Sequence, residues 1–104
     1  MTSPQLTERE LDLITGVIRH HPRITKVKLF GSRAMGTHSA RSDVDLAVWG
    51  AADAVEAEAV AGELDDLPLP YRFEVQSFEH LTNPALREHI ERVGISLIPE
   101  DSIL

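Results

Sequence analysis

The sequence predicts a small α/β domain in which helices flank a mixed β-sheet. Two stretches alternate apolar and polar residues at period two, and a third is rich in β-branched residues, all of which indicates strands. Between the strands, apolar residues recur at helical spacing, with capping residues or proline at the expected helix starts. The 104 residues, of which 42% are hydrophobic, suffice for one core, so we expect a single domain over residues 1–104.

The first part of the chain predicts a helix, a strand and a short helical turn. Thr7 to Glu10 form a capping-box pattern, so the helix begins at about Glu8 and runs to about Arg19. Ile24 to Phe30 are mostly β-branched or apolar and end at a glycine, which predicts a strand. A short helix or turn over Ser32 to Gly36 follows, and then a polar loop.

The remainder predicts a strand, a helix, a second strand, a helix and a short final strand. Period-two alternation marks the first two strands, and an Ala- and Glu-rich stretch with one apolar face marks the helix between them. An Asn-Pro start signal and a glycine C-terminal cap delimit the last helix. These elements cover Asp43 to Val48, Asp53 to about Asp66, Tyr71 to Phe78, Asn83 to Gly94 and Ile95 to Ile98.

Composition narrows the possible functions. Lys and Arg total 10 against 17 Asp and Glu, so the formal charge of −7 opposes direct binding to nucleic acid. The absence of Cys excludes disulfides, thiolate nucleophiles and Cys-based zinc sites. Because the sequence shows neither a signal-peptide pattern nor an apolar run of the roughly 20 residues that span a bilayer, we expect a cytoplasmic protein.

Two neighbouring motifs indicate phosphate and metal chemistry. Asp43 and Asp45 are two residues apart on a predicted strand, so their side chains share a face with Cα atoms roughly 6.5–7 Å apart. Two such carboxylates repel each other unless one is protonated or a cation lies between them, and Mg²⁺ prefers oxygen ligands. Gly31 allows a sharp turn close to a ligand, and Ser32 adds a hydroxyl donor beside free backbone N–H groups. Arg33 or Arg41 could neutralise phosphate charge.

The order of these residues resembles a known signature. Gly31-Ser32-Arg33-Ala34-x-Gly36, followed by Ser42-Asp43-x-Asp45-Leu46, is similar to the motif of the DNA polymerase β-like nucleotidyltransferases. The chain length and the segment from Asn83 to Glu91 resemble the minimal nucleotidyltransferases (MNT) in particular. The resemblance extends from about Lys26 to Ile98 and implies the polymerase β-like palm fold, with a mixed sheet.

The resemblance also implies a set of site residues. Asp43, Asp45 and a third carboxylate from a later strand would be catalytic and would bind two Mg²⁺ ions, with ATP as the donor substrate. Glu74 occupies the third position, where the family usually has Asp, and its extra methylene moves the oxygens by about one bond length. Gly31, Ser32 and Arg33 would bind the triphosphate.

The minimal family suggests a partner protein. Its members are often antitoxins that transfer AMP to a tyrosine of a HEPN-type ribonuclease toxin, which implies a hetero-oligomer, and this chain has no room for an acceptor-binding domain of its own. Two alternatives stay open: a binding module that neutralises the toxin by occlusion, and an enzyme that modifies a small molecule. Replacement of Asp43 and Asp45 by Asn would separate the first from catalysis.

Simpler interpretations apply to several of these residues individually. Glu74 could be a solvated strand residue, and Arg33 could form a surface ion pair. The five histidines show no metal-ligand spacing; His20 and His21 close the first helix, and the others are most simply solvent-facing. The acidic residues between Asp53 and Asp66 would solvate one helix face, and Trp49 would serve packing.

Overall fold

The structure, a computed structural model, describes residues 6–36, 43–50 and 53–97. It confirms the predicted α/β class. The elements are α1 (Glu8–Ile18), β1 (Ile24–Phe30), α2 (Ser32–Met35), β2 (Val44–Gly50), α3 (Ala54–Asp65), β3 (Phe73–Ser77), a 3₁₀ helix (Phe78–His80), α4 (Pro84–Val93) and β4 (Ile95–Ser96). No helix in these three ranges is long and apolar enough to cross a membrane.

The strands form a mixed sheet in the order β3-β2-β1-β4. β1 runs antiparallel to both β2 and β4, whereas β2 and β3 are parallel and are joined through α3. In this register Asp45 lies opposite Phe30 on one side and opposite Glu74 on the other. Since directly paired residues project to the same face of a sheet, the topology places these three side chains in one row.

One face of the sheet is covered by α1 and α3. Apolar side chains from both helices and from β1 and β2 form the larger core cluster there. Alternation along each strand directs every second residue into this cluster, as the period-two pattern predicts. Its fully buried members include Ile14, Ile18, Val27, Leu29, Val44, Leu46, Val48, Val60 and Leu64.

The opposite face packs against α4 in a smaller cluster. Phe30, Ala47, Phe78 and Ile90 are its buried members. Trp49 stacks on Phe78 with the ring centroids 4.5 Å apart, which confirms a packing role for this tryptophan. This face is therefore apolar next to α4 and acidic where the row that contains Asp45 reaches β3.

The N-terminal caps predicted for the first and last helices are present, and α3 has a cap as well. Thr7 Oγ1 accepts from the Glu10 backbone N–H at 3.1 Å, and Glu10 Oε1 accepts from the Thr7 backbone N–H at 2.9 Å, which completes the capping box of α1. Asp53 caps α3, and Asn83 caps α4 with proline as the first helical residue. These local signals explain why the helices begin where the sequence predicts.

Gly94 ends α4 for a reason other than the predicted one. A glycine cap usually adopts a left-handed conformation, but Gly94 has φ −61° and ψ 138°, which any residue can adopt. A Cβ atom at this position would overlap the carbonyl oxygen of Ile90 and lie 2.9 Å from Cδ of Lys28. The close approach of this residue to the last turn of α4, with the Lys28 side chain of β1 beside it, therefore favours glycine here, and not a left-handed backbone.

His21 lies just after α1, and its side chain contacts two acidic residues of α3. Its Nδ1 lies 3.2 Å from Glu56 Oε2 and its Nε2 lies 2.9 Å from Glu63 Oε2, and the side chain is only 14% exposed. Both ring nitrogens must carry hydrogen to donate to two carboxylates, so the imidazolium form makes both bonds. Two acidic residues of α3 thus tie this helix to the end of α1 instead of only solvating its surface.

Candidate active site

The backbone turn after β1 lies directly against an acidic side chain. Gly31 has φ 77° and ψ −156°, a conformation that L side chains rarely adopt. A Cβ atom at this position would overlap the carboxylate of Asp45. The turn and the carboxylate can approach this closely only because residue 31 is glycine.

Asp45 and Glu74 form a carboxyl pair across β2 and β3. Asp45 is partly buried, whereas Glu74 is exposed. Burial, the negative charges of Glu74 and Asp43, and a hydrogen bond to Glu74 raise the pKa of Asp45 from 3.8 to about 6. The site therefore brings negative charges close enough together to disfavour ionisation of Asp45.

Asp43 lies immediately before β2 and is exposed. Its charge is among those that raise the pKa of Asp45, so the two carboxylates are close enough to repel each other. Next to it, the Val44 backbone N–H donates to the Arg72 carbonyl oxygen at 2.9 Å. Pairing of β2 with β3 thus begins beside the acids and holds both strand starts in place.

The carboxylate oxygens of this site fit a hard divalent cation that a substrate also helps to bind. Within the described residues, no three His, Cys, Asp or Glu side chains are arranged so that they could hold a metal ion by themselves. Mg²⁺ is usually held by one or two carboxylates together with substrate phosphates, and it does not require an all-protein cage. One partly buried carboxylate, Asp45, with two exposed acids nearby matches this mode of binding, and the three predicted metal ligands stay a prediction.

The other predicted phosphate-binding residues differ in exposure. Ser32 is the first residue of α2 and is partly buried. Arg33 is only 2% exposed, and its guanidinium carbon lies 4.2 Å from the ring centroid of Tyr71. Phosphate binding by Arg33 stays a prediction, and its burial favours an indirect role. Arg41, the other candidate, lies outside the described residues, as does the polar loop at 37–42.

Two features of the site have no clear signal in the sequence. Tyr71 donates a hydrogen bond from its hydroxyl to Glu10 Oε2 at 2.7 Å, across 61 residues of sequence. His89 of α4 packs edge-on against Phe30, with ring centroids 6.2 Å apart, and Phe30 pairs with Asp45. Both contacts depend on residues that are distant in sequence, and no local pattern predicts them.

The arrangement is suited to binding a phosphorylated ligand through a cation. A glycine-serine turn supplies backbone and hydroxyl donors on one side, and on the other lies Asp45, whose pKa is raised by burial and by the nearby charges of Glu74 and Asp43. A cation would relieve the repulsion among the acids, and phosphate oxygens would complete its coordination. Such a site favours displacement at phosphorus, in which charge develops on the attacking and leaving oxygens.

Comparison with known proteins agrees with this chemistry. The sequence profile of the family described as polymerase beta, nucleotidyltransferase matches residues 12–103. No curated protein sequence is significantly similar to the chain.

Several solved structures share the fold. A toxin-antitoxin complex with AMP-PNP matches with a TM-score of 0.74 and 23% identity, covering 89% of this chain and 77% of that one. The complex of the tri-AMPylated Shewanella oneidensis HEPN toxin with its MNT antitoxin matches with a TM-score of 0.71 and 19% identity, covering 93% and 76%. The MntA-HepT toxin-antitoxin complex matches with a TM-score of 0.69 and 18% identity, covering 93% and 80%. At these identities the similarity shows the fold alone.

Proposed function

Because this chain belongs to the polymerase beta nucleotidyltransferase family, we propose that it is a magnesium-dependent protein adenylyltransferase that transfers AMP from ATP to a partner protein. The observation that carries the proposal is the contact between the Gly31 turn and the Asp45 carboxylate. This contact brings the element suited to phosphate next to the element suited to metal, as transfer of a nucleotidyl group requires.

Each site residue has a role in this reaction. Asp43 and Asp45 hold magnesium, and Glu74 is the third ligand or the base that orients the attacking hydroxyl. Gly31 and Ser32 bind the triphosphate through backbone and hydroxyl donors. When bound, two magnesium ions supply the positive charge that stabilises the attacking oxygen and the leaving pyrophosphate.

The carboxyl pair also explains how an acidic protein can bind ATP. The formal charge of −7 and the crowded acids repel a triphosphate in the absence of cations. With magnesium present, the same acids attract the metal-bound triphosphate. We therefore expect ATP to bind only together with the divalent cation.

We propose a HEPN-type toxin as the acceptor, with a tyrosine hydroxyl as the attacking group. Support comes from the neighbouring folds, which include an AMPylated HEPN toxin in complex with an MNT antitoxin and a toxin-antitoxin complex with AMP-PNP. In this role the chain is an antitoxin that acts in the cytoplasm and silences its partner by covalent modification.

The test is transfer of radiolabelled AMP. The chain is incubated with its HEPN partner, Mg²⁺ and ATP labelled at the α-phosphate, and the partner is then analysed by intact mass and peptide mapping. We expect AMP on a tyrosine of the partner. A partner that stays unlabelled with a folded, ATP-binding chain would contradict the proposal.

The same system separates catalysis from occlusion. The Asp43→Asn/Asp45→Asn double variant removes the charges proposed to hold magnesium, with little change in side-chain size. If this variant is folded and no longer neutralises the toxin, neutralisation is catalytic. If it binds and still neutralises the toxin, the chain acts as the non-catalytic binding module instead.

A further inference from the structure

The helix that follows the Gly31 turn is too short to hold its own position. α2 has four residues, and so short a helix has almost no intrinsic stability. Its location over the sheet must therefore come from the packing of its side chains. Its buried residues are Arg33 and Ala34, of which Arg33 is by far the larger and extends further from the backbone.

Arg33 connects α2 to two distant parts of the chain. Its guanidinium carbon lies 4.2 Å from the ring centroid of Tyr71, within the range of a cation–π contact. The Tyr71 hydroxyl donates to Glu10 Oε2 at 2.7 Å. Glu10 Oε1 in turn accepts from the Thr7 backbone N–H at 2.9 Å in the capping box of α1. A continuous series of contacts thus runs from the start of α1 to α2.

The contacts in this series favour an ionised Glu10 and a protonated Tyr71. Burial by itself would raise the pKa of Glu10, but hydrogen bonds from Tyr71 and Thr7, together with the positive charge of Arg33, bring this pKa below its ordinary value. The hydrogen bond to Glu10, burial and the Glu10 charge raise the pKa of Tyr71. At neutral pH the carboxylate is therefore ionised and the phenol keeps its proton, as the observed hydrogen bond requires.

We propose that Arg33 is a positioning residue: its stacking on Tyr71 holds α2, and with it the Gly31-Ser32 turn, at a defined height above the carboxylates. Tyr71 precedes Glu74 by three residues, so the same contact also aligns the turn with the strand that carries the third acid. This inference rests on the proposed function only in that the turn binds the triphosphate. It assigns Arg33 to the support of the turn and not to contact with phosphate.

The first test measures how firmly the turn is held when no nucleotide is bound. Hydrogen exchange of the 31–36 amides is compared in wild type, Tyr71→Leu and Tyr71→Phe. We expect Tyr71→Leu, which removes the ring, to speed exchange in this segment about tenfold. Tyr71→Phe keeps the ring and loses only the hydroxyl, so its effect should be smaller. Unchanged exchange at 31–36 in Tyr71→Leu would overturn the proposal.

A matched variant excludes general destabilisation. Val60 is fully buried on α3 and takes no part in the contacts between Arg33, Tyr71 and Glu10. Val60→Ala should lower global stability without selectively increasing exchange at 31–36. If Val60→Ala selectively loosens this segment as much as Tyr71→Leu does, Arg33 has no special role in positioning the turn.

The second test is a double-mutant cycle on the affinity for ATP with Mg²⁺. If Arg33 acts through Tyr71, Arg33→Met and Tyr71→Leu should each weaken binding about tenfold, and the double variant should be no weaker than either single one. Arg33→Lys should not restore affinity, because a lysine lacks the planar group that stacks. Direct phosphate contact predicts a different result: Tyr71→Leu binds normally, and Arg33→Lys, which keeps the positive charge, binds more tightly than Arg33→Met.

The two tests also separate this inference from the proposed function. A wild-type chain that binds no ATP in the presence of Mg²⁺ contradicts the proposed function. The hydrogen-exchange comparison still decides the role of Arg33 in that case, because it requires only the folded chain.

Discussion

The two faces of the sheet differ most sharply at neighbouring residues of β2. Leu46 is fully buried under α1 and α3, whereas Asp45 projects to the other face, beside Glu74 and the Gly31 turn. Burial of a leucine of this kind contributes about 1.5–3 kcal/mol to stability. Asp45, by contrast, is held where burial and neighbouring acids disfavour its charge. One face is packed throughout, and the other combines a smaller core cluster with the acids that are proposed to act in catalysis, at a cost in stability.

The acids at the strand ends depend on the packed face for their position. A rigid, well-packed face keeps β2 and β3 in register, so Asp45 and Glu74 stay paired despite their repulsion. The acidic row can therefore remain partly exposed, where a cation and a substrate can reach it. Variants that affect only one face should separate stability from activity.

The largest expected effect is on AMP transfer. Asp45→Asn keeps the size of the side chain but removes a charge proposed to hold magnesium, so transfer should fall by about a thousandfold or more, or about 4 kcal/mol. The measurement is the initial rate of AMP incorporation. The control is Asp12→Asn, which changes an exposed residue of α1 in the same way. Equal rates in the two variants would exclude Asp45 from the reaction.

The next largest effect is the loss of stability expected when a side chain on the face covered by α1 and α3 is shortened. Leu46→Ala should reduce the free energy of unfolding by about 2–5 kcal/mol, because it opens a cavity among fully buried side chains. Urea denaturation measures the change. Val55, which is 75% exposed on α3, provides a control, and Val55→Ala should change stability by less than about 0.5 kcal/mol. Similar losses in the two variants would contradict the assignment of the core to this face.

A glycine pair tests the contact between the turn and Asp45. Gly31 and Gly36 have almost the same φ, 77° and 76°, but a Cβ atom would meet nothing within 4 Å at Gly36. Their ψ values differ, however, −156° at Gly31 and 12° at Gly36. Gly36→Ala should therefore cost about 1 kcal/mol from left-handed backbone strain, and Gly31→Ala about 2–3 kcal/mol from a stricter backbone conformation together with the overlap with Asp45. Only the part due to the overlap should be recovered when Asp45 is also replaced by Ala. A loss for Gly31→Ala that is the same in the Asp45→Ala background would contradict the close approach.

The smallest expected effect is the pH dependence of stability. Since the folded state raises the pKa of Asp45 from 3.8 to about 6, its contribution to stability is fully present below pH 3.8 and is lost as pH rises through about 6. After allowance for solvent screening, the loss is about 1–2 kcal/mol. Asp45→Asn should match wild type near pH 4 and exceed it in stability at pH 7. A difference that does not vary with pH would contradict the raised pKa.

Addition of Mg²⁺ extends this measurement. A cation bound at the carboxylates stabilises the folded chain by mass action, and it should stabilise wild type more than Asp45→Asn. Thermal unfolding at pH 7, with and without Mg²⁺ and ATP, measures the difference. Equal stabilisation of both proteins would place cation binding elsewhere.

The sequence predicts the fold to within one or two residues at most element ends. β1 has the predicted bounds, Ile24–Phe30, and α1 begins at the predicted Glu8. These features depend on local signals, namely the capping box, the glycine after β1 and the alternation of apolar residues. The 3₁₀ helix at Phe78–His80 was not predicted, because a single turn at the end of a strand leaves no periodic pattern.

In the candidate site, too, local motifs can be read from the sequence, whereas contacts between distant residues cannot. The spacing of Asp43 and Asp45 and the Gly31-Ser32 pair are visible in the sequence, and the structure brings these residues together with Glu74. Their roles in binding and catalysis remain predictions. The burial of Arg33 against Tyr71 and the double contact of His21 with α3 are not visible, because every partner lies more than 30 residues away.

The sequence by itself determined the class of fold, the order of its elements and which residues of each strand lie on the same face of the sheet. These features follow from backbone preferences and from the period of the apolar residues. Only the tertiary structure decided where the long polar side chains lie. An arginine or a histidine can reach solvent, a ligand or a distant carboxylate at similar local cost. Which of these it meets depends on how the sheet brings remote segments together.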